Sequence, residues 1–190
     1  MGQYYRPVSL DTMEHLNSHD YGCGMKLMEH SWIGNNFVEA VELLLIEGAR
    51  WDKHKIVWAG DYADNEPVDS EWYKEERSND KGEKISENIF SQCEDHNKLN
   101  NLIEVLPEDH HYICNYTKNL YVDKRKGTDT DPNWKIHPLP LLTCEGNGRG
   151  GGDFREEDPT ELIGSWSRDK IGIRNYIPEG FTELIFNLIE

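Results

Sequence analysis

The sequence predicts an α+β fold in a single compact domain over residues 1–190, with helices mainly in the first half and a mostly antiparallel sheet in the second. Three observations carry that expectation. A chain of 190 residues is near the size that buries one core. Hydrophobic residues make up only 36%, but six Trp, nine Tyr and five Phe supply large buried area per residue, which a disordered chain would lack. Helical spacing lies mostly before Pro107 and strand spacing mostly after it, unlike the alternation of a parallel α/β sheet.

The elements follow in order. Tyr4, Tyr5, Val8 and Leu10 read as an opening strand, which Pro7 places near a sheet edge because proline has no N–H for the ladder. Asp11, with Glu14 at the capping-box position, predicts a brief helix ending before Gly22. The clearest helix is Phe37 to Glu47, where Asn36 and Glu39 form a capping box and Gly48 stands at the C-terminal end. Phe37, Val38, Val41, Leu44 and Leu45 follow helical spacing, and Leu43 and Ile46 widen the apolar face, which marks a core helix. Lys55 to Ala59 reads as a strand closed by Gly60 and Asp61. A segment at about 64–84 is acidic and loop-rich. Ile85 to Leu106 has patchy helical spacing, stopped by Pro107. His110 to Tyr116 and Leu120 to Val122 form a hairpin turning at Thr117, Lys118 and Asn119. Pro138 and Pro140 confine Trp134 to Thr143 to an irregular or edge strand. Ile163 to Ser167 and Ile171 to Ile173 suggest a second hairpin. Phe181 to Ile189 fits strand or helix, and its Thr, Ile and Phe favour a closing strand.

Charge narrows the function. Thirty-six acidic residues face 20 basic ones, for a net −16. Non-specific nucleic-acid binding and anionic membranes both need a basic surface, so neither is expected. An acidic surface serves solubility, and it also suits a basic protein partner or the imitation of DNA. Cys23, Cys93, Cys114 and Cys144 form no C-x-x-C pair, so reduced thiols in a cytoplasmic protein are expected, without a zinc knuckle. The polar opening with Pro7 predicts no signal peptide, and the aliphatic run Leu43 to Ile46 is too short to span a bilayer.

The most distinctive segment is Gly146, Asn147, Gly148, Arg149, Gly150, Gly151, Gly152 and Asp153, five glycines in eight residues. Such a run lets backbone N–H groups converge on an anion, and Arg149 adds a guanidinium for phosphate or carboxylate. A turn with close backbone packing and no ligand accounts for the same glycines. Gly146, Gly148 and Gly151 satisfy G-x-G-x-x-G, but the acidic, proline-broken stretch from Asp153 to Pro159 does not open the helix a dinucleotide fold requires. No Gly-Lys-Ser/Thr follows, which excludes a Walker A loop.

The opening Met1-Gly2-Gln3-Tyr4-Tyr5-Arg6-Pro7-Val8, the words Lys26-Leu27-Met28-Glu29-His30-Ser31 and Trp58-Ala59-Gly60-Asp61-Tyr62, and the stretch from His137 through Asp153 resemble a group of uncharacterised bacterial and gut-bacteriophage proteins. The resemblance spans nearly the whole chain and implies a prokaryotic or phage setting, hence host cytoplasm if phage-encoded. It implies no residue role.

Two further constellations are candidates. His15 and His19 lie four apart on the predicted first helix beside Asp20, a spacing that can face one metal, though H-E-x-x-H is absent and a solvated helix face explains it equally. Asp61 and Asp64, with His30, could hold Mg²⁺ or relay protons, but Gly-Asp at a strand end is also ordinary turn chemistry. Glu108 to His111 reads as exposed loop charge. The expectation is therefore a protein that binds or sequesters an anionic small molecule, such as a nucleotide, through Gly146–Asp153. The alternatives are an acidic interaction or inhibitor protein and a metal-assisted hydrolase around Asp61. No catalytic residue, metal site or cofactor is assigned.

Overall fold

The β-propensity of Ile56, Val57 and Trp58 places the strand His54–Gly60 at the centre of the protein, where its two faces feed two separate apolar clusters. The computed structural model describes residues 2–78, 80–93, 97–102, 104–126, 129–131, 134–146 and 161–188. Among them, the strands in chain order are β1 (Tyr5–Ser9), β2 (Glu14–His15), β3 (His54–Gly60), β4 (Glu75–Ser78), β5 (Lys84–Ser86), β6 (Tyr112–Asn115), β7 (Leu120–Asp123), β8 (Asp129–Asp131), β9 (Trp134–Lys135), β10 (Cys144–Glu145), β11 (Lys170–Arg174) and β12 (Thr182–Glu183). The helices are α1 (Leu27–His30), α2 (Asn36–Leu45), α3 (Ile89–Gln92) and α4 (Pro138–Thr143).

Eight of the strands form one mixed sheet in the order β12-β7-β6-β11-β3-β1-β2, with β10 also on β3. β1 runs antiparallel along β3, from Tyr5 opposite Gly60 to Ser9 opposite Ile56. The other edge of β3 is divided. β11 pairs with its first residues, His54 and Lys55, and β10 runs parallel to it at Trp58 and Ala59. The remaining pairs, β4 with β5 and β8 with β9, are separate two-stranded ribbons. The architecture is α+β, and its sheet is antiparallel except at β10 and β12.

Alternation along β3 sorts the core. Ile56 and Trp58 face the larger cluster with Phe37, Val41 and Leu45 of α2 and Leu139 and Leu142 of α4. Val57 and Ala59 face the smaller one, with Val8, Ile89, Phe90 and Cys93. Trp51, Trp58 and Trp166 are fully buried, as expected of core aromatics. Two glycines stand at close approaches, Gly60 against backbone and Gly172 against a side chain. A Cβ on Gly60 would stand 2.8 Å from the Glu145 carbonyl oxygen and collide with the Gln3 amide, and one on Gly172 would stand 2.9 Å from the Arg174 guanidinium. No helix among the described residues is long and apolar enough to cross a membrane.

Several local expectations change. The helix expected after Asp11 is instead β2 and a 3-10 turn at Ser18–Tyr21 capped by Asn17. Asp11 serves the sheet, because its Oδ2 accepts from Lys55 N at 2.6 Å. The extended strand expected at Pro138 and Pro140 is a helix. His137 caps it, and prolines in a first turn give up N–H groups that have no intrahelical partner. Among the described residues of Ile85 to Leu106, where the helical spacing is patchy, only α3 is helical, and within the acidic segment at about 64–84 the strand β4 forms and pairs with β5. The hairpin of β6 and β7 forms as expected, with Asn119 in the left-handed region at φ 54°. Residues 163–167 form turns, and β11 pairs with β6 instead.

Candidate functional site

Of the glycine segment, Gly146 is buried at the end of β10, and Asn147, Gly148, Arg149, Gly150, Gly151, Gly152 and Asp153 lie outside the described residues. The base of the segment is tied by charge. Arg168, half-buried and at φ 65°, directs Nε to Glu145 Oε2 at 2.8 Å and Nη1 to Glu66 Oε2 at 3.0 Å. Ser167 Oγ donates to Glu145 Oε2 at 2.8 Å, and the guanidinium lies 5.0 Å from the Trp72 ring centre. Burial works against the Arg168 charge, but the two carboxylates outweigh it and hold the guanidinium above its ordinary range. This knot joins three chain segments at one end of β3.

The two sequence constellations are not assembled. His15 is buried on β2, whereas His19 lies in the 3-10 turn, and Asp20 pairs with Lys98 at 2.6 Å. His30 is wholly buried. Its Nδ1 donates to the Gly24 carbonyl at 3.0 Å and its Nε2 accepts from Trp58 Nε1 at 2.9 Å, so one neutral tautomer uses both nitrogens. Burial holds its pKa down at about 4. Asp61 Oδ1 accepts from Tyr4 N at 2.9 Å, which is strand-end chemistry. Among the described residues, no group of three His, Cys, Asp or Glu side chains could hold a metal ion.

A different site is built around a cleft of about 450 Å³ lined by Ile33, Glu108, His111, Lys124, Arg125 and Lys135. Its two walls can be read from backbone bonds. Lys124 N donates to the His111 carbonyl at 3.0 Å, which joins the end of β7 to residues 108–111, and Ile33 N donates to the Lys135 carbonyl at 2.8 Å, which forms the facing wall.

Each cation on the first wall is held by a carboxylate set behind it. Lys124 Nζ reaches Glu42 Oε1 at 2.7 Å and Oε2 at 2.8 Å, and Glu42 is fully buried on α2. His137 stands on the far side of that carboxylate. Its Nδ1 accepts from Leu139 N at 3.2 Å, so Nε2 carries the proton and faces Glu42 Oε1 at 3.3 Å, outside good hydrogen-bond geometry. Burial pushes the Glu42 carboxyl up, but His137 and Lys124 outweigh it, so the net direction is down and the group is ionised. Arg125 grips the buried Asp123 side-on, Nε to Oδ1 at 2.9 Å and Nη2 to Oδ2 at 2.7 Å, and this bond leads the lowering of the Asp123 carboxyl. The guanidinium lies 5.6 Å from the Tyr112 ring centre. His111 Nδ1 donates to the Glu108 carbonyl at 3.1 Å, which makes Nε2 an acceptor in neutral imidazole and a donor only in imidazolium.

The sequence contained a signal for this site that charge totals conceal. Lys124, Arg125 and Lys126 are the one run of adjacent basic residues in a chain of net −16. Glu42 carried a second signal, as a carboxylate between Val41 and Leu43 on a core helix that requires a buried cation. Lys135 and Ile33 reach the cleft through tertiary pairing, which no local pattern announces. No protein-family model, curated protein or solved structure matches this chain significantly.

Proposed function

We propose that this protein binds a small anionic molecule, with the cleft between Lys124–Arg125 and Lys135 as its seat. The observation that carries the reading is the charge of that lining. Among the described residues, that lining holds three Lys or Arg side chains and a histidine against one carboxylate, in a chain where acidic residues outnumber basic ones 36 to 20. A fully solvated acidic surface has no physical reason to concentrate its scarce cations in one concavity. The countercharges of two of them, Glu42 and Asp123, lie behind the wall in the core, which orients the cations without filling the cleft.

The glycine segment Gly146–Asp153 with Arg149 is the alternative seat for the same class of ligand, favoured by its backbone composition alone. The resemblance to bacterial and gut-bacteriophage proteins supports a role in which the ligand is sequestered in a prokaryotic or host cytoplasm. Inorganic phosphate and pyrophosphate, titrated at fixed ionic strength and followed by calorimetry, test the reading. The expected result is saturable binding that Lys135→Ala and Arg125→Ala each weaken about tenfold, with Arg149→Ala unchanged. Loss of binding in Arg149→Ala alone moves the seat to the glycine segment, and an absence of binding to any anion refutes the function.

A further inference from the structure

We infer that the cleft selects a tetrahedral oxyanion, a phosphoryl or sulfuryl group carried on a small organic body, over a carboxylate; this deepens the proposed function and rests on it. The donors of the cleft and their directions distinguish the two shapes. A planar carboxylate is best recognised by the side-on fork of an arginine, two parallel N–H groups from Nε and one terminal nitrogen. In Arg125 that fork is spent on Asp123, with Nε on Oδ1 and Nη2 on Oδ2. The guanidinium keeps N–H groups on Nη1 on its outer side, which do not form that fork.

The other donors are single and come from separate groups. Lys124 directs Nζ to both oxygens of Glu42, and an ammonium has a third N–H. His111 adds Nε2–H when it is protonated, because Nδ1 is committed to Glu108. Lys135 adds a cation from the facing wall. Donors carried by separate side chains around one cleft fit an anion whose oxygens splay in three dimensions, and a phosphoryl group offers three such oxygens.

The organic body follows from size and lining. The cleft, at about 450 Å³, falls within the range of pockets that hold small organic ligands. Ile33 provides an apolar contact beside Lys135, on the wall opposite Lys124 and Arg125. A phosphorylated metabolite would set its anionic head between the walls and its body along Ile33.

Four probes separate shape from charge: phenyl phosphate, phenyl sulfate, benzoate and the dianion phthalate, titrated into the full chain at one pH and ionic strength. Phenyl sulfate and benzoate are both monoanions on the same ring and differ in the geometry of their oxygens. The expected order is phenyl phosphate, then phenyl sulfate, then benzoate, with phenyl sulfate at least about tenfold tighter than benzoate and phthalate weaker than phenyl phosphate. Lys135→Ala and Arg125→Ala should each narrow the gap between sulfate and carboxylate, and the Lys135 variant keeps the test sound if Arg125→Ala disturbs Asp123. Benzoate binding as tightly as phenyl sulfate overturns the inference and leaves anion binding standing. Binding of none of the four, with inorganic phosphate and pyrophosphate equally inert, overturns the proposed function itself.

Discussion

His30 is held between the Gly24 carbonyl and the Trp58 indole, with no room for a second proton because Nε2 already accepts. Its ring also meets Phe37 edge-on at 5.1 Å, so it is a core side chain carrying a polar bond on each nitrogen. Burial lowers its pKa from 6.5 to about 4, and the sign of the linkage follows. Above pH 6.5 the folded and unfolded chains are both neutral at this residue. As pH falls from 6.5 towards 4, the unfolded chain takes up a proton that the folded one refuses, and stability is lost, by about 3 kcal/mol across the window. Other groups titrate there too, so the contribution is isolated by difference. His30→Gln should be less stable than the parent at pH 7.5, and the gap in urea-unfolding free energy should shrink as pH approaches 4. A gap that stays constant with pH would show that the imidazole is not held neutral. The same accounting removes His30 from any catalytic pairing with Asp61.

At the level of elements, α2 shows how capping is decided. The sequence pattern favours Asn36 with Glu39, but the side chain that accepts the orphan N–H groups is that of Asn35, with Oδ1 3.0 Å from Phe37 N and 3.3 Å from Val38 N. Asn35 is buried and Asn36 is exposed. Asn35→Ala should therefore cost about 1–2 kcal/mol and Asn36→Ala less than about 0.5, read as the shift in urea midpoint. Equal effects would contradict the placement of the cap. The one-residue slip illustrates what the sequence could express: α2 and the β6–β7 hairpin were legible because local periodicity and turn residues specify them. α4 was not, because Pro138 and Pro140 are extended-chain signals until a cap precedes them, and His137 is a cap only by virtue of its ring nitrogen. The divided pairing of β3 with β11 and β10 joins residues about a hundred positions apart, and no local pattern encodes it. The cleft was half legible for the same reason. The run Lys124–Arg125–Lys126 is local, whereas Glu42, Ile33 and Lys135 reach it through the fold.

Across the whole molecule, the cleft works against the field of the chain that carries it. Sixteen excess negative charges over 9897 Å² of surface amount to one for roughly every 620 Å², a mean spacing of about 25 Å. That distance lies inside the screening length of about 30 Å at 0.01 M salt and well beyond the roughly 8 Å at 0.15 M. Exposed pairs such as Lys55–Glu71 and Lys126–Glu183 are screened by the same salt, but such solvated pairs contribute little to stability. The pairs around Glu42 and Arg168 are less affected, because their carboxylates are buried and their cations only slightly exposed. Self-repulsion is therefore the term that salt removes. Raising NaCl from 0.01 to 0.15 M at pH 7.5 should raise Tm by about 2–4 °C, the shift expected of about 1 kcal/mol in a domain of this size. Phosphate at matched ionic strength should add a further, saturable increment, because an anion held by Lys124, Arg125 and Lys135 stabilises the folded state by mass action. A Tm that falls with NaCl would mean that exposed ion pairs outweigh repulsion. Identical curves in NaCl and phosphate would leave the cations of the cleft without the ligand their convergence implies.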